Sequence, residues 1–149
     1  MGDISKNFSY AEFERSATAG KFGIDNSMPA EVRAHVEELV SKLLQPLRDA
    51  WGSPLTVTSG YRCEALNKAV KGSATSAHVC GWAADLVPQN GTITEFFDFA
   101  ERWLRYNSRQ FDQCIREVNA AGTSRWLHLG LKNREGKQRR QFLALMANK

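Results

Sequence analysis

From Pro29 onward, apolar residues recur at helical spacing. Val32, Val36, Leu39, Val40, Leu43, Leu44 and Leu47 fall on one stripe, which predicts a long amphipathic helix. Pro29 suits its first turn, Pro46 is expected to kink its last, and Gly52-Ser53-Pro54 stops it. Thr92-Ile93-Thr94-Glu95 is a capping box that opens a second helix to about Tyr106, with Ile93, Phe96, Phe97, Ala100 and Leu104 facing inward. Ser9-Tyr10-Ala11-Glu12 has the same form and predicts a short helix over about 10–16, followed by a loop over 18–27 that contains Gly20 and Gly23. The β-branched run Leu55-Thr56-Val57-Thr58-Ser59 reads as a strand, as do 82–87, 111–118 and 125–131. The last two are joined by Asn119-Ala120-Ala121-Gly122-Thr123 in the form of an antiparallel hairpin. A short helix is expected over 64–70, a loop over 71–80 and a basic exposed stretch over 132–140. Helices come first and strands cluster later. That order predicts one α+β domain over 1–149, with helices on one face of a small, mainly antiparallel sheet and the other face free to hold a site.

Composition narrows this little. The 149 residues are 42% hydrophobic and 24% charged, an ordinary globular make-up. No apolar run approaches the ~18 residues of a membrane span. The first residues lack a charged-then-apolar leader, so no signal peptide is expected and synthesis is placed in the cytoplasm. Twenty Lys+Arg against sixteen Asp+Glu leave a charge of +4, a mild pull towards anionic partners. The basic residues Lys132, Arg134, Lys137, Arg139 and Arg140 are not interleaved with aromatics, which argues against a nucleic-acid site. Three cysteines with no C-x-x-C pair argue against a disulfide framework and a cysteine zinc knuckle.

The chemistry rests on three histidines. His35 lies at the edge of the helical stripe and reads as structural. His78 sits among small residues, Gly72-Ser73-Ala74-Thr75-Ser76-Ala77, where an imidazole is expected to be accessible on a flexible loop. In Trp126-Leu127-His128-Leu129-Gly130-Leu131, the leucines alternate onto one face and put Trp126 and His128 on the other. Asp85, between Ala83-Ala84 and Leu86-Val87, is a carboxylate in an apolar strand and must be paired or bound to a cation. A salt bridge to Arg62 or Arg125 explains it as well as a metal does. Two histidines and a carboxylate are also the protein donors of a catalytic zinc site.

The segment from Ser76 to Asp85 has the pattern S-x-H-x-x-G-x-A-x-D. With Ser59-Gly60-Tyr61-Arg62 and Leu66-Asn67 before it and Trp126-Leu127-His128 after it, the chain resembles the zinc D-alanyl-D-alanine carboxypeptidase family. That family includes the L-alanyl-D-glutamate endopeptidases of phage lysins and shares its fold with the hedgehog signalling domain. The similarity runs from about Phe8 to Arg140 and is closest to short phage and prophage members. It implies Zn2+ held by His78, Asp85 and His128, and a peptidase acting on the stem peptides of peptidoglycan. It also implies substrate contacts from Arg62, Ser76, Tyr61 and Trp126, with Arg62 placed for an oxyanion or a carboxylate. For Arg62 a salt bridge to Asp85 or Glu64 stands as the alternative. Gly81 is expected to let the backbone pass close to the metal, with Ala83 and Ala84 leaving room beside it.

Many relatives carry an acid three positions before the last histidine, where this chain has Arg125. The general base is therefore sought in Glu117, with Asp112 on the opposite strand face as its rival. Phe111-Asp112-Gln113 is similar to a segment of the short phage members. The expectation is a monomeric wall peptidase, either an endolysin-like endopeptidase or a carboxypeptidase, reaching the wall as a released lysin or a virion component. A non-catalytic zinc-containing wall-binding module of the same fold is the alternative, kept open by Arg125. An intracellular peptidase for free D-amino-acid dipeptides is a third reading.

Overall fold

The computed structural model describes residues 2–146. Its first helix, α1 (Tyr10–Glu14), starts at the capping box, where the Ser9 N–H donates to Glu12 Oε2 at 2.7 Å. The stretch expected as loop instead holds a second helix, α2 (Ala17–Phe22). Its six residues are too few for apolar periodicity to register, and the caps carry it. Ser16 Oγ accepts the Ala19 N–H at 3.1 Å, and Gly23 closes the helix at φ +64°.

The long stripe forms α3 (Ala30–Leu39), a π turn (Val40–Leu44) and α4 (Gln45–Trp51) in one continuous run. The helix is thus interrupted ahead of Pro46 rather than at the last turn. In the π turn the Gln45 N–H reaches back to the Val40 carbonyl, and the wider turn makes space for a proline ring that would crowd the preceding carbonyls. Downstream lie β1 (Leu55–Ser59), α5 (Glu64–Ala69), a 3₁₀ turn (Ala77–Cys80), β2 (Ala83–Pro88), α6 (Ile93–Tyr106), β3 (Gln113–Val118), β4 (Arg125–Gly130) and β5 (Gln141–Met146). No helix of the described residues is long and apolar enough to cross a membrane.

The strands form one sheet in the order β1-β2-β4-β3-β5. Every pairing is antiparallel except β3 with β5. The fold is α+β, as the order of elements predicted, but β5 lies beyond every strand read from the sequence. Phe142-Leu143-Ala144-Leu145-Met146 is a short apolar run that fits helix or strand equally, and its pairing with a distant β3 decides the matter. One sheet face, carrying Leu55, Val57, Ala84, Leu86, Cys114, Leu127 and Leu129, packs on Leu39, Leu43, Leu47, Phe96, Phe97 and Leu104 of the helices. At roughly 1.5–3 kcal/mol for each fully buried large apolar side chain, this layer is the main source of stability and makes the sheet a firm floor. On the other face Ser59, Asp85, His128 and Ile115 stand in a row across β1, β2, β4 and β3. A bulge between Val57 and Ser59 brings Ser59, not Thr58, opposite Asp85.

Candidate metal centre

His78 is buried, not accessible, and its loop is a capped turn. Ser76 Oγ accepts the His78 N–H at 3.2 Å and Gly81 ends the turn at φ +78°. The Arg62 N–H bonds the His78 carbonyl at 3.2 Å, and His78 Nδ1 lies 2.6 Å from the Gly60 carbonyl oxygen. Gly60 can take that place only as glycine, because a Cβ there would come within 2.7 Å of Phe13 Cα. A carbonyl only accepts, so Nδ1 carries the hydrogen and Nε2 turns its lone pair towards Asp85 Oδ1, 3.2 Å away. Gly81 does not face this site as expected. A Cβ on it would strike Val32, so its role is the close approach of the turn to α3. Ala84 belongs to the core and only Ala83 lies on the site face.

His128 is the direct cross-strand partner of Asp85, and its Nδ1 lies 3.1 Å from the same Oδ1. The donor atoms of His78, Asp85 and His128 all fall within 4.8 Å of one another, and the three residues are buried. Burial pushes the His78 imidazole down to about 4, against the pull of Asp85, so it is neutral near pH 7. Burial also opposes the Asp85 charge, but the two imidazoles outweigh it and hold the carboxyl well below the usual range. An unprotonated Nε2 therefore faces a carboxylate oxygen, two acceptors whose repulsion a cation between them would relieve. The donor set fits a small divalent ion with a preference for nitrogen and oxygen.

Glu117 pairs across the strands with Trp126, on the face that carries His128. The Trp126 indole N–H donates to Glu117 Oε1 at 3.1 Å, and Glu117 Oε2 lies 4.0 Å from His128 Nδ1. The rival, Asp112, precedes β3 and is not on an opposing strand face. It is buried and held by Arg139, whose Nε and Nη2 donate to its two oxygens at 2.7 and 2.8 Å. Arg125 has its guanidinium at Thr94 Oγ1, 3.3 Å away, and over the Phe97 ring. Its guanidinium is therefore turned to the helix side of the sheet, although the residue also borders the cleft that holds Asp85 and Trp126.

Arg62 is buried and makes neither expected salt bridge. Its Nη2 donates to Ser76 Oγ at 3.1 Å, its Nε has no partner, and Glu64 pairs with Arg134 instead. Tyr61 is mostly buried against the core, with its N–H on the Phe13 carbonyl at 2.8 Å. His35 is structural, as expected: its Nδ1 lies 2.7 Å from the Cys80 carbonyl oxygen and its ring stacks on Trp82. Two clefts meet at the donor set. One, of about 490 Å³, is lined by His78, His128, Glu117 and Ser76; the other, of about 650 Å³, by Asp85, Trp126, Tyr61 and Thr58, and Arg62 borders both.

Asn26, which no sequence signal marks, ties the arginine segment in place. Its Nδ2 donates to the Glu14 and Tyr61 carbonyls at 3.0 and 2.9 Å, and its Oδ1 accepts the Cys63 N–H at 2.8 Å. Asn26→Ala leaves these buried groups unpaired and should cost about 2–4 kcal/mol, read as a lower urea midpoint at constant m.

The fold and site together define a mononuclear metal-binding α+β domain with an acid beside its centre. The family profile for peptidase M15 matches residues 6–128, and the chain belongs to that family. It is also 37% identical over 81 residues to the zinc D-Ala-D-Ala carboxypeptidase of Streptomyces albus G, a match covering 54% of this chain. The chain spans 31% of that relative's length.

Proposed function

We propose that the chain is a zinc peptidase that cleaves an internal amide bond in the stem peptides of bacterial peptidoglycan. The observation that carries this reading is Glu117 standing beside the His78, Asp85 and His128 donors where two clefts meet. His78, Asp85 and His128 hold the zinc, which when bound supplies Lewis acidity towards water and towards the scissile carbonyl. Clefts on both sides of the centre let a peptide pass through, which favours an internal bond over a chain terminus.

Glu117, whose Oε2 lies 4.0 Å from His128 Nδ1, takes the proton of the attacking water and then returns it to the leaving amine. Arg62, with an unpartnered buried Nε, meets the negative charge that develops on the carbonyl oxygen. Ser76 Oγ accepts from Arg62 and His78, which leaves its own hydrogen to donate to the peptide. Trp126 orients Glu117 through its indole. Trp126→Phe keeps the ring and drops that bond, so kcat should fall about tenfold with KM little changed. The similarity of Phe111-Asp112-Gln113 to short phage members extends the proposal to a lysin that reaches the wall after release.

The test is incubation of the zinc-loaded protein with purified sacculi and mass spectrometry of the released fragments. New amino termini inside the stem peptide support the proposal. Release of terminal D-alanine alone would move it to carboxypeptidase. Intact sacculi from several wall types, with zinc still bound, would overturn it in favour of a binding module.

A further inference from the structure

Three arginines at the β5 end of the sheet carry charge that no acid in the fold answers. The guanidinium carbon of Arg105, on α6, lies 4.0 Å from the centre of the Phe142 ring; that of Arg109 lies 4.7 Å from Trp103, and that of Arg140 5.6 Å from Phe111. Phe111 and Phe142 meet edge to face with ring centres 5.1 Å apart, so Arg105 and Arg140 cover adjoining rings. Arg140 Nε donates to the Arg109 carbonyl at 3.0 Å, and Arg109 Nη1 to the Lys42 carbonyl at 3.4 Å. None of the three makes an ion pair among the described residues. Arg116 is the contrast. It too lies over a ring, 5.3 Å from the centre of Phe97, but Glu101 and Asp98 hold it at 2.7 and 2.8 Å. Both acids come from α6, whose last turn holds none.

The backbone is bent to put them there. Ser108 and Arg140 sit at φ +48° and +54°, the left-handed region that is costly for any residue but glycine. The Arg109 N–H closes α6 on the Leu104 carbonyl at 3.1 Å, and the Arg140 N–H donates to the Phe111 carbonyl at 3.0 Å. Each guanidinium lies on a different ring, so the three are held apart and do not converge on one small ion. Such a row matches repeated phosphates, whose oxygens suit the planar guanidinium fork. The arginines cover the rings, which leaves no free aromatic face for a nucleic-acid base to stack on. Tyr106 is the one large apolar side chain that α6 exposes, too little to anchor in a lipid surface. Arg139, one residue from Arg140, is bound to Asp112 at the border of the cleft of about 490 Å³. The row thus begins where the peptide cleft ends.

We propose that Arg105, Arg109 and Arg140 dock the domain on a phosphodiester polymer of the bacterial wall, beside the peptide it cleaves. The proposal rests on the peptidase reading for the source of the polymer, while the binding itself needs neither zinc nor turnover.

The test is calorimetric titration of the zinc-loaded protein with soluble poly(glycerol phosphate) at about 50 and about 200 mM salt, where binding should weaken as salt rises. Arg105→Gln/Arg140→Gln should bind about tenfold more weakly and lower the slope of log K against log salt by about 2, roughly one for each lost contact. Arg105→Lys/Arg140→Lys keeps the charge and should keep the slope. Lys21→Gln/Lys68→Gln removes the same charge from exposed positions on α2 and α5 and should bind like the parent. Should the first variant fail to fold, Arg109→Gln carries the comparison alone, with the slope lowered by about 1. No binding by the parent chain, or an equal loss in Lys21→Gln/Lys68→Gln, overturns the docking row. Tighter binding to phosphatidylglycerol vesicles or to single-stranded DNA overturns the wall polymer as its partner. Cleavage of stem peptides is measured separately: its failure removes the peptidase reading and leaves the titration to decide the row.

Discussion

Asp85→Ala should abolish stoichiometric zinc binding and, with it, the rise in melting temperature that the ion gives the parent chain. Asp85 is the hinge of the donor set, since its Oδ1 faces both His78 and His128. Loss of an outer partner costs a metal site ~10–100-fold in affinity, and loss of a ligand costs more. An ion present at about a thousand times its Kd stabilises the fold by about 4 kcal/mol. In a chain of this size each kcal/mol moves Tm by roughly 2–4 °C. Chelation should therefore lower the parent Tm by about 8–16 °C, while Asp85→Ala melts alike with and without zinc. The comparison is made within each protein, because removing the carboxylate also opens a buried space between the two imidazoles and shifts the stability of the apo chain. Scanning calorimetry with metal analysis reads both quantities. A full zinc-dependent shift in Asp85→Ala would sink the assignment of the centre.

Glu117→Gln should do the opposite: keep the zinc-dependent shift and lose turnover by about 10²–10⁴-fold. The amide fills the same volume and can still accept the Trp126 indole hydrogen, so the cleft wall is preserved. It cannot take a proton from water at neutral pH. Retained cleavage of sacculi by Glu117→Gln would show that the base lies elsewhere. Asp112 is a poor substitute, because both of its oxygens are occupied by Arg139.

What the sequence made legible follows the range of the interactions. Capping boxes and helical periodicity located α1, α6 and the long run through α3 and α4 because those signals are local. The alternation around His128 places it on the free face, and cross-strand pairing in the sheet puts it opposite Asp85. The same alternation also puts Arg125 with Leu127 and Leu129, on the helix side. Its guanidinium accordingly lies at Thr94 and Phe97, three positions before His128 in sequence but turned away from it. The run of small residues around His78 suggests an accessible ring, because nothing in it signals the carbonyl waiting at Gly60. The Arg139 partner of Asp112 and the Asn26 bridge are contacts between residues 27 and 35–37 apart in sequence, where neither spacing nor propensity carries information.

The parallel pairing of β5 has a consequence in time. β3 and β4 are joined by a short loop and can zip together in about 1–10 μs, the pace of a hairpin. β5 must close about 28 residues to meet β3, from Gln113 to Gln141, and parallel pairs are slow to form. None of the three donors comes from β5 or from the loop before it. The centre can therefore assemble before the sheet is complete, and the last strand docks beside a site that already exists.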